Sequence, residues 1–155
     1  LFPAIKSFTA LENAVTLSTK PVVRFAALTQ SLALSDYFKL CERYRLPTDF
    51  KELGELVIKF FDDCQNVASL SDEKLVELLG RLDVFRREGR FFDFLLAAEA
   101  CGLKSADELK KYYHAAKNID VKHITSDKSL SGKDIADKII EKRIEAVAEC
   151  RSGKA

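Results

Sequence analysis

Two adjacent carboxylates, Asp62 and Asp63, follow the apolar pair Phe60-Phe61. Such a pair can hold a divalent cation or supply a general base. At about 100° per helical residue, Asp62 falls opposite the stripe of Leu53, Val57 and Cys64, and Asp63 falls on its edge. Two solvated acids on a helix face therefore outweigh a functional pair. The two histidines are no better placed. His114 follows Tyr112-Tyr113 in a helical pattern, and His123 stands between Lys122 and Ile124. Each reads as a packed or surface residue before it reads as a ligand or base. No spacing suggests a Ser/His/Asp or Cys/His arrangement. The six glycines are scattered, so there is no phosphate-cradling loop.

The basic residues offer more. Arg86, Arg87 and Arg90 form the densest basic cluster, with Lys110-Lys111 and Lys138/Lys142/Arg143 as lesser ones. Guanidinium groups pair with phosphate in two-pronged fashion, so three arginines in an interhelical turn could hold a phosphate backbone. The plainer alternative is a solvated turn. A formal charge of +1 gives no global pull toward nucleic acid, so any such face must be local. Cys41, Cys64, Cys101 and Cys150 are too far apart for a zinc motif. Three of them sit in apolar helical surroundings and read as reduced core thiols of a cytoplasmic protein.

Helices must position these groups. Leu53, Leu56, Val57, Phe60, Phe61 and Cys64 recur at spacings of three and four, after Pro47 and a candidate N-cap at Thr48. Ser71-Asp72-Glu73 opens the next helix, with acids in the first turn and a stripe of Leu75, Leu78, Leu79, Leu82 and Phe85. Residues 86–90 make a turn. Residues 91–98 are almost wholly apolar, and Gly102 suits the position after that helix. Ser105 and Glu108 have the spacing of a capping box for a helix to about Asn118. Residues 118–130 read as a loop. Ser131 starts a last helix through about Cys150, with Ala136, Ile140, Ile144 and Val147 on one seam. Upstream, residues 7–19, 21–32 and 35–45 give three more helices, the second with Pro21 in its first turn.

The fold class expected is all-α, a bundle of about seven to eight helices. At 155 residues the prior is one domain, over residues 1–151, with a loose tail at residues 152–155. A hydrophobic content of 47% with eleven phenylalanines excludes disorder. No apolar run reaches the roughly 18 residues of a membrane span, and no signal peptide stands out. The start at Leu1-Phe2-Pro3 reads as a piece of a longer protein or a processed one.

Residues 22–28 are apolar almost all round, with Arg24 the sole charge, and run into Thr29-Gln30-Ser31-Leu32. A helix of that kind is buried. With the helices placed, the order of segments resembles the HD-like tail of bacterial CCA-adding enzymes, the multifunctional tRNA nucleotidyltransferases. Val23–Leu28 resembles the helix leading into the family's His-Asp motif. Leu40–Pro47 is similar to the stretch that follows. Leu82–Arg87 resembles its Asp-Ala-aromatic-Arg segment, and Ala98-Glu99-Ala100 its Glu-Ala-Asp. Gly132–Ile135 and Arg143–Val147 are similar to its closing Gly-x-x-Ile and Arg-Ile-x-Ala-Val.

The resemblance implies an HD-domain-like helical tail, lacking the nucleotidyltransferase head that would bind magnesium, ATP and CTP. Its implied partners are tRNA and that head domain, with no membrane. Yet the positions of the family's metal site are changed. Gln30-Ser31 stands where the family has His-Asp. The loop after it is reduced to residues 33–36, and a His-bearing segment before Val22 is missing. Phe61-Asp62 replaces the later His-Asp, and Gln65 a nearby His. Asp62 alone remains, and one carboxylate does not hold a divalent ion against water. The resemblance therefore implies a tRNA-positioning domain with an inactive phosphohydrolase site, no metal, cofactor or catalytic residue of its own, and contacts at Arg86, Arg87 and Arg90, then Lys110, Lys111 and Arg143. Two other readings stand beside it. One is an interaction scaffold, docking a second copy or the head through an apolar patch around Phe61 and Leu32. The other is a surviving hydrolase using Asp62, Asp63 and a histidine.

Overall fold

Leucine, phenylalanine and alanine at helical spacing set almost every element. The computed structural model describes residue 5 and residues 7–127 and 129–153. The helices are α1 (Thr9–Leu17), α2 (Pro21–Thr29), α3 (Leu34–Arg43), α4 (Thr48–Gln65), α5 (Asp72–Arg81), α6 (Glu88–Ala100), α7 (Ala106–Lys117), α8 (Val121–Thr125) and α9 (Gly132–Arg151), with a 3-10 turn at Val67–Ser69. The all-α expectation holds. The described residues carry nine helices rather than seven to eight, because α8 occupies part of the expected loop at 118–130. The Asp120 carboxylate caps it by accepting the His123 N–H. Leu1, Phe2 and Pro3, and Lys154 and Ala155 of the expected loose tail, lie outside the described residues.

α2 is the hub. It packs on α4, α1 and α6, while α4 also meets α3 and α6. α5 and α7 both pack against α9. The main core draws Val23 and Ala26 from α2, Leu53, Val57 and Phe60 from α4, Leu75 and Leu79 from α5, Phe91 and Phe94 from α6, and Leu109 and Tyr113 from α7. Ala14, Ala27 and Ala100 meet in a separate small cluster, where short side chains let α1, α2 and α6 approach closely. A further cluster joins Ile5, Leu32, Tyr37 and Cys41. There Gly54 of α4 lies under the ring of Tyr37. A Cβ at Gly54 would run into the Tyr37 hydroxyl and lie 2.9 Å from its Cε2.

Several local expectations change in detail. α2 ends at Thr29 rather than Leu32, and the Leu32 N–H turns back to the Thr29 carbonyl. α1 and α3 are likewise shorter than their sequence patterns. Thr48 is the first helical residue, not the cap; Pro47 precedes it without a side-chain bond. Ser105 does not build a capping box. Its hydroxyl instead donates to the Cys64 carbonyl at 2.6 Å, and Glu108 accepts from the Tyr112 hydroxyl. The full capping box is at Ser131 and Asp134, opening α9. Gly102 does follow α6 in the left-handed region, at φ +100.

The seam expected on α9 holds only in its second half. Val147 and Cys150 are buried and Ile144 packs on the core, but Ala136 and Ile140 are exposed. Beside the first half lies the short α8, with Ile124 and Leu130 in the cleft they share. The far end is held by Arg151. Its guanidinium donates to the carbonyls of Leu70 (2.6 Å) and Val67 (2.9 Å) and to Asp72 (3.0 Å), and lies over the Tyr112 ring.

Candidate nucleic-acid interface

The arginine cluster is organised by how α5 ends. The helix closes with Val84 N–H bonding to the Leu79 carbonyl and Asp83 N–H to that of Gly80. Asp83 takes the left-handed position between them, at φ 56. Glycine usually fills that place; aspartate tolerates it better than most residues. Leu82 and Val84 on either side are buried. The Asp83 carboxylate is thereby turned toward the start of α6, where it accepts from Arg86 (2.8 Å) and Arg90 (3.2 Å). Across the gap, Glu52 of α4 accepts from Arg90 at 3.1 Å and from Arg87.

Arg86, Arg87 and Arg90 are thus brought together, as three cations on two carboxylates. Their side chains differ in exposure, at 80%, 43% and 19% respectively. Burial alone would raise Glu52, but the Arg87 and Arg90 guanidiniums override it and hold the carboxyl below its usual range. The Arg86 bond does the same for Asp83. Both acids stay ionised near neutrality, and the cluster keeps one positive charge in excess. Arg86 is the member that faces solvent. The Nε of Arg90 is buried and has no acceptor.

The other predicted basic residues are placed differently. Arg143 of α9 stacks on Phe85, with Cζ 3.4 Å from the ring centroid. Its Nε is buried without a partner, and burial lowers its pKa. Since Phe85 adjoins Arg86 in the chain, α9 reaches the same turn. Lys110 pairs with Asp107 one turn back on α7, and Lys111 approaches the Cys150 carbonyl at 3.5 Å. Lys142 pairs with Glu145, while Lys138 and His123 line the cleft between α8 and α9. His114 is exposed and packs edgewise on Tyr113 and Phe92.

At the positions compared with the family's metal site, Gln30 closes α2 half-buried and Ser31 is exposed. Phe61 packs against the main core, whereas Leu32 belongs to the Tyr37 cluster. Asp62 and Asp63 are both exposed. Gln65 joins α4 to the α6–α7 turn, donating to the Gly102 carbonyl and accepting from Lys104 N–H. Among the described residues no three His, Cys, Asp or Glu side chains gather where they could hold a metal ion. The cysteines are free thiols, and burial pushes Cys64 up to about 12 and Cys101 up to about 11, which makes both poor nucleophiles. Among the described residues no helix is long and apolar enough to cross a membrane.

Sequence reasoning found the arginines but missed Glu52 and Asp83, which orient them. Asp83 was readable as an acid in a turn. Glu52 lies 35 residues upstream of Arg87, and nothing local announces the pairing.

No protein-family model and no solved structure matches the chain. It is 29% identical over 154 residues to the CCA-adding enzyme of Coxiella burnetii, covering 95% of this chain and 41% of that protein. It is 31% identical over 172 residues to the multifunctional CCA protein of Vibrio parahaemolyticus, covering 92% and 42%. Against the multifunctional CCA protein of Haemophilus ducreyi it is 32% identical over 124 residues, covering 74% and 30%. The chain therefore spans less than half the length of these relatives. Across nearly its own whole length it is a homologue of one segment of the CCA-adding enzymes and multifunctional CCA proteins.

Proposed function

We propose that this chain is the tRNA-positioning tail of a CCA-adding enzyme, with a degenerate HD phosphohydrolase site. Supporting it most is the match over 95% of the chain to a protein named as a CCA-adding enzyme. In this reading a separate head adds C, C and A to the tRNA 3′ end, using magnesium, CTP and ATP. The tail holds the tRNA body so that the 3′ end reaches that head. Such a task needs shape and phosphate contacts with little base readout. The solvent-facing Arg86 and the excess charge around it suit a phosphate.

Loss of the second activity draws on two observations. The exposed Asp62 and the bridging Gln65 stand apart from any gathered donor set. The alignment with the Vibrio multifunctional protein, at 172 residues, is longer than the 155-residue chain itself, so segments of that relative have no counterpart here. The alignment with the Coxiella CCA-adding enzyme fits within 154 residues.

The test is tRNA binding by this chain across a salt series. Arg86→Ala should weaken binding and lower the slope of log K against log salt by about 0.7–0.9, the signature of one lost phosphate contact. Affinity and slope both unchanged would remove the arginine turn from the tRNA surface. Arg86 is the cleaner choice for this test, because Arg87 and Arg90 also tie α4 to α6.

A further inference from the structure

A groove of about 650 Å³ opens between α4 and α5, beside the arginine turn. Its walls carry Arg81, Lys59 and Arg90 against Glu52 and Glu55, with Leu56 and Phe60 as the apolar part. The acids have partners. Glu52 accepts from Arg87 and Arg90, and Glu55 pairs with Lys59 one turn along α4. Arg81 is exposed and, among the described residues, makes no ion pair. Asp63 and Glu77 share a shallower cleft on its other side without bonding to it. Its guanidinium instead lies over the Phe60 ring, 4.9 Å from the centroid.

That contact has a geometric consequence. Contact with a buried ring restrains the guanidinium on one side, while its remaining N–H groups stay free for an acceptor. The dipole of α5 explains a cation in its last turn. It does not explain a cation placed over Phe60 at the mouth of a groove that Arg90 also lines. Within the lining three cations face two carboxylates, an excess of one positive charge. The groove also borders Glu52 and Arg90, so it continues the strip that begins at Arg86.

We infer that this groove takes a backbone phosphate of the bound RNA on Arg81, extending the arginine turn into a two-site phosphate track. The inference rests on the tRNA reading above and adds a residue that the sequence did not single out. RNA is favoured over a small phosphate compound because the groove is open and continuous with Arg86, which suits a strand passing along it.

The experiment measures tRNA affinity of the full chain against salt for wild type, Arg81→Ala, Arg86→Ala and the double variant. Arg81→Ala should weaken binding about sixfold at 0.1 M salt and lower the slope by about 0.7–0.9, with the two losses adding in the double variant. Arg81→Lys should recover the slope but only part of the affinity, since charge returns without the fork. Arg81→Ala should lower the melting temperature by no more than a few degrees, the cost of its contact with the Phe60 ring, because among the described residues Arg81 makes no ion pair. If Arg86→Ala weakens binding and Arg81→Ala does not, the groove assignment falls and the tRNA reading stands. If the wild type fails to bind tRNA, both fall. Inorganic phosphate, titrated alone and followed through the Arg81 side-chain resonance, separates the sources. Saturation at micromolar phosphate would assign the groove to a small anion and overturn the RNA assignment.

Discussion

Alanine at Gly54 is expected to destabilise the fold by roughly 2–4 kcal/mol, although alanine is the better helix former. Intrinsic preference would favour the change by about 1 kcal/mol in a helix interior. Packing reverses the sign. Tyr37 is fully buried, and its hydroxyl donates to the Phe50 carbonyl at 2.7 Å. A methyl group at Gly54 would collide with that hydroxyl and the ring beneath it. Phe25 and Phe38 pack on the same ring, with centroids 6.4 Å and 6.1 Å away. Overpacking of this kind forces a backbone shift or breaks the hydroxyl's bond. Denaturant unfolding of Gly54→Ala measures the effect. A variant as stable as wild type would show that α3 can slide away from α4 without penalty. Pairing it with Tyr37→Leu should return part of the loss, because the two residues occupy the same space.

The second large effect belongs to Arg151. Truncation to alanine removes three charge-assisted bonds, to the Leu70 and Val67 carbonyls and to Asp72, and leaves the Val67 carbonyl with the Leu70 N–H alone. A loss of about 2–4 kcal/mol follows from bonds of this type. At this chain length each kcal/mol lowers the melting temperature by about 2–4 °C. Arg151→Lys should recover only a minor part, because one ammonium cannot span acceptors on two carbonyls and a carboxylate as the planar fork does. Thermal unfolding followed by circular dichroism decides it. An Arg151→Ala melt within a degree of wild type would mean that Val147 and Cys150 alone secure α9.

Helices were legible wherever one face carried the pattern. Leu53, Val57, Phe60 and Cys64 announced α4, and Leu75, Leu78 and Leu79 announced α5, because burial of a stripe leaves a period of three to four. The apolar α2 and α6 were legible as buried for the same reason. Where the pattern misled, local chemistry had a competing partner. Ser105 reads as a cap until the fold brings the Cys64 carbonyl within reach. Ala136 and Ile140 read as core from the pattern alone, but none of residues 132–142 is buried. The arginine turn was visible as composition. Its arrangement was not, since Glu52 comes from another helix and Asp83 acts through a backbone conformation that residue identity does not encode. Arg81 was invisible for a related reason: what distinguishes it is the Phe60 ring beneath it, while the carboxylates of its groove are paired with other cations.

The uneven burial of α9 decides how the molecule comes apart. From Ile144 onward the helix is locked into the core and clamped by Arg151. Ahead of that none of residues 132–142 is buried, and α8 beside them is an element of five residues with none buried either. Amide protons in the leading turns therefore exchange through a small local opening, while those near Val147 wait for global unfolding. The helix is a single rod by geometry but two cooperative units by energy, and the boundary falls at Arg143, whose stack on Phe85 ties the second unit to the arginine turn.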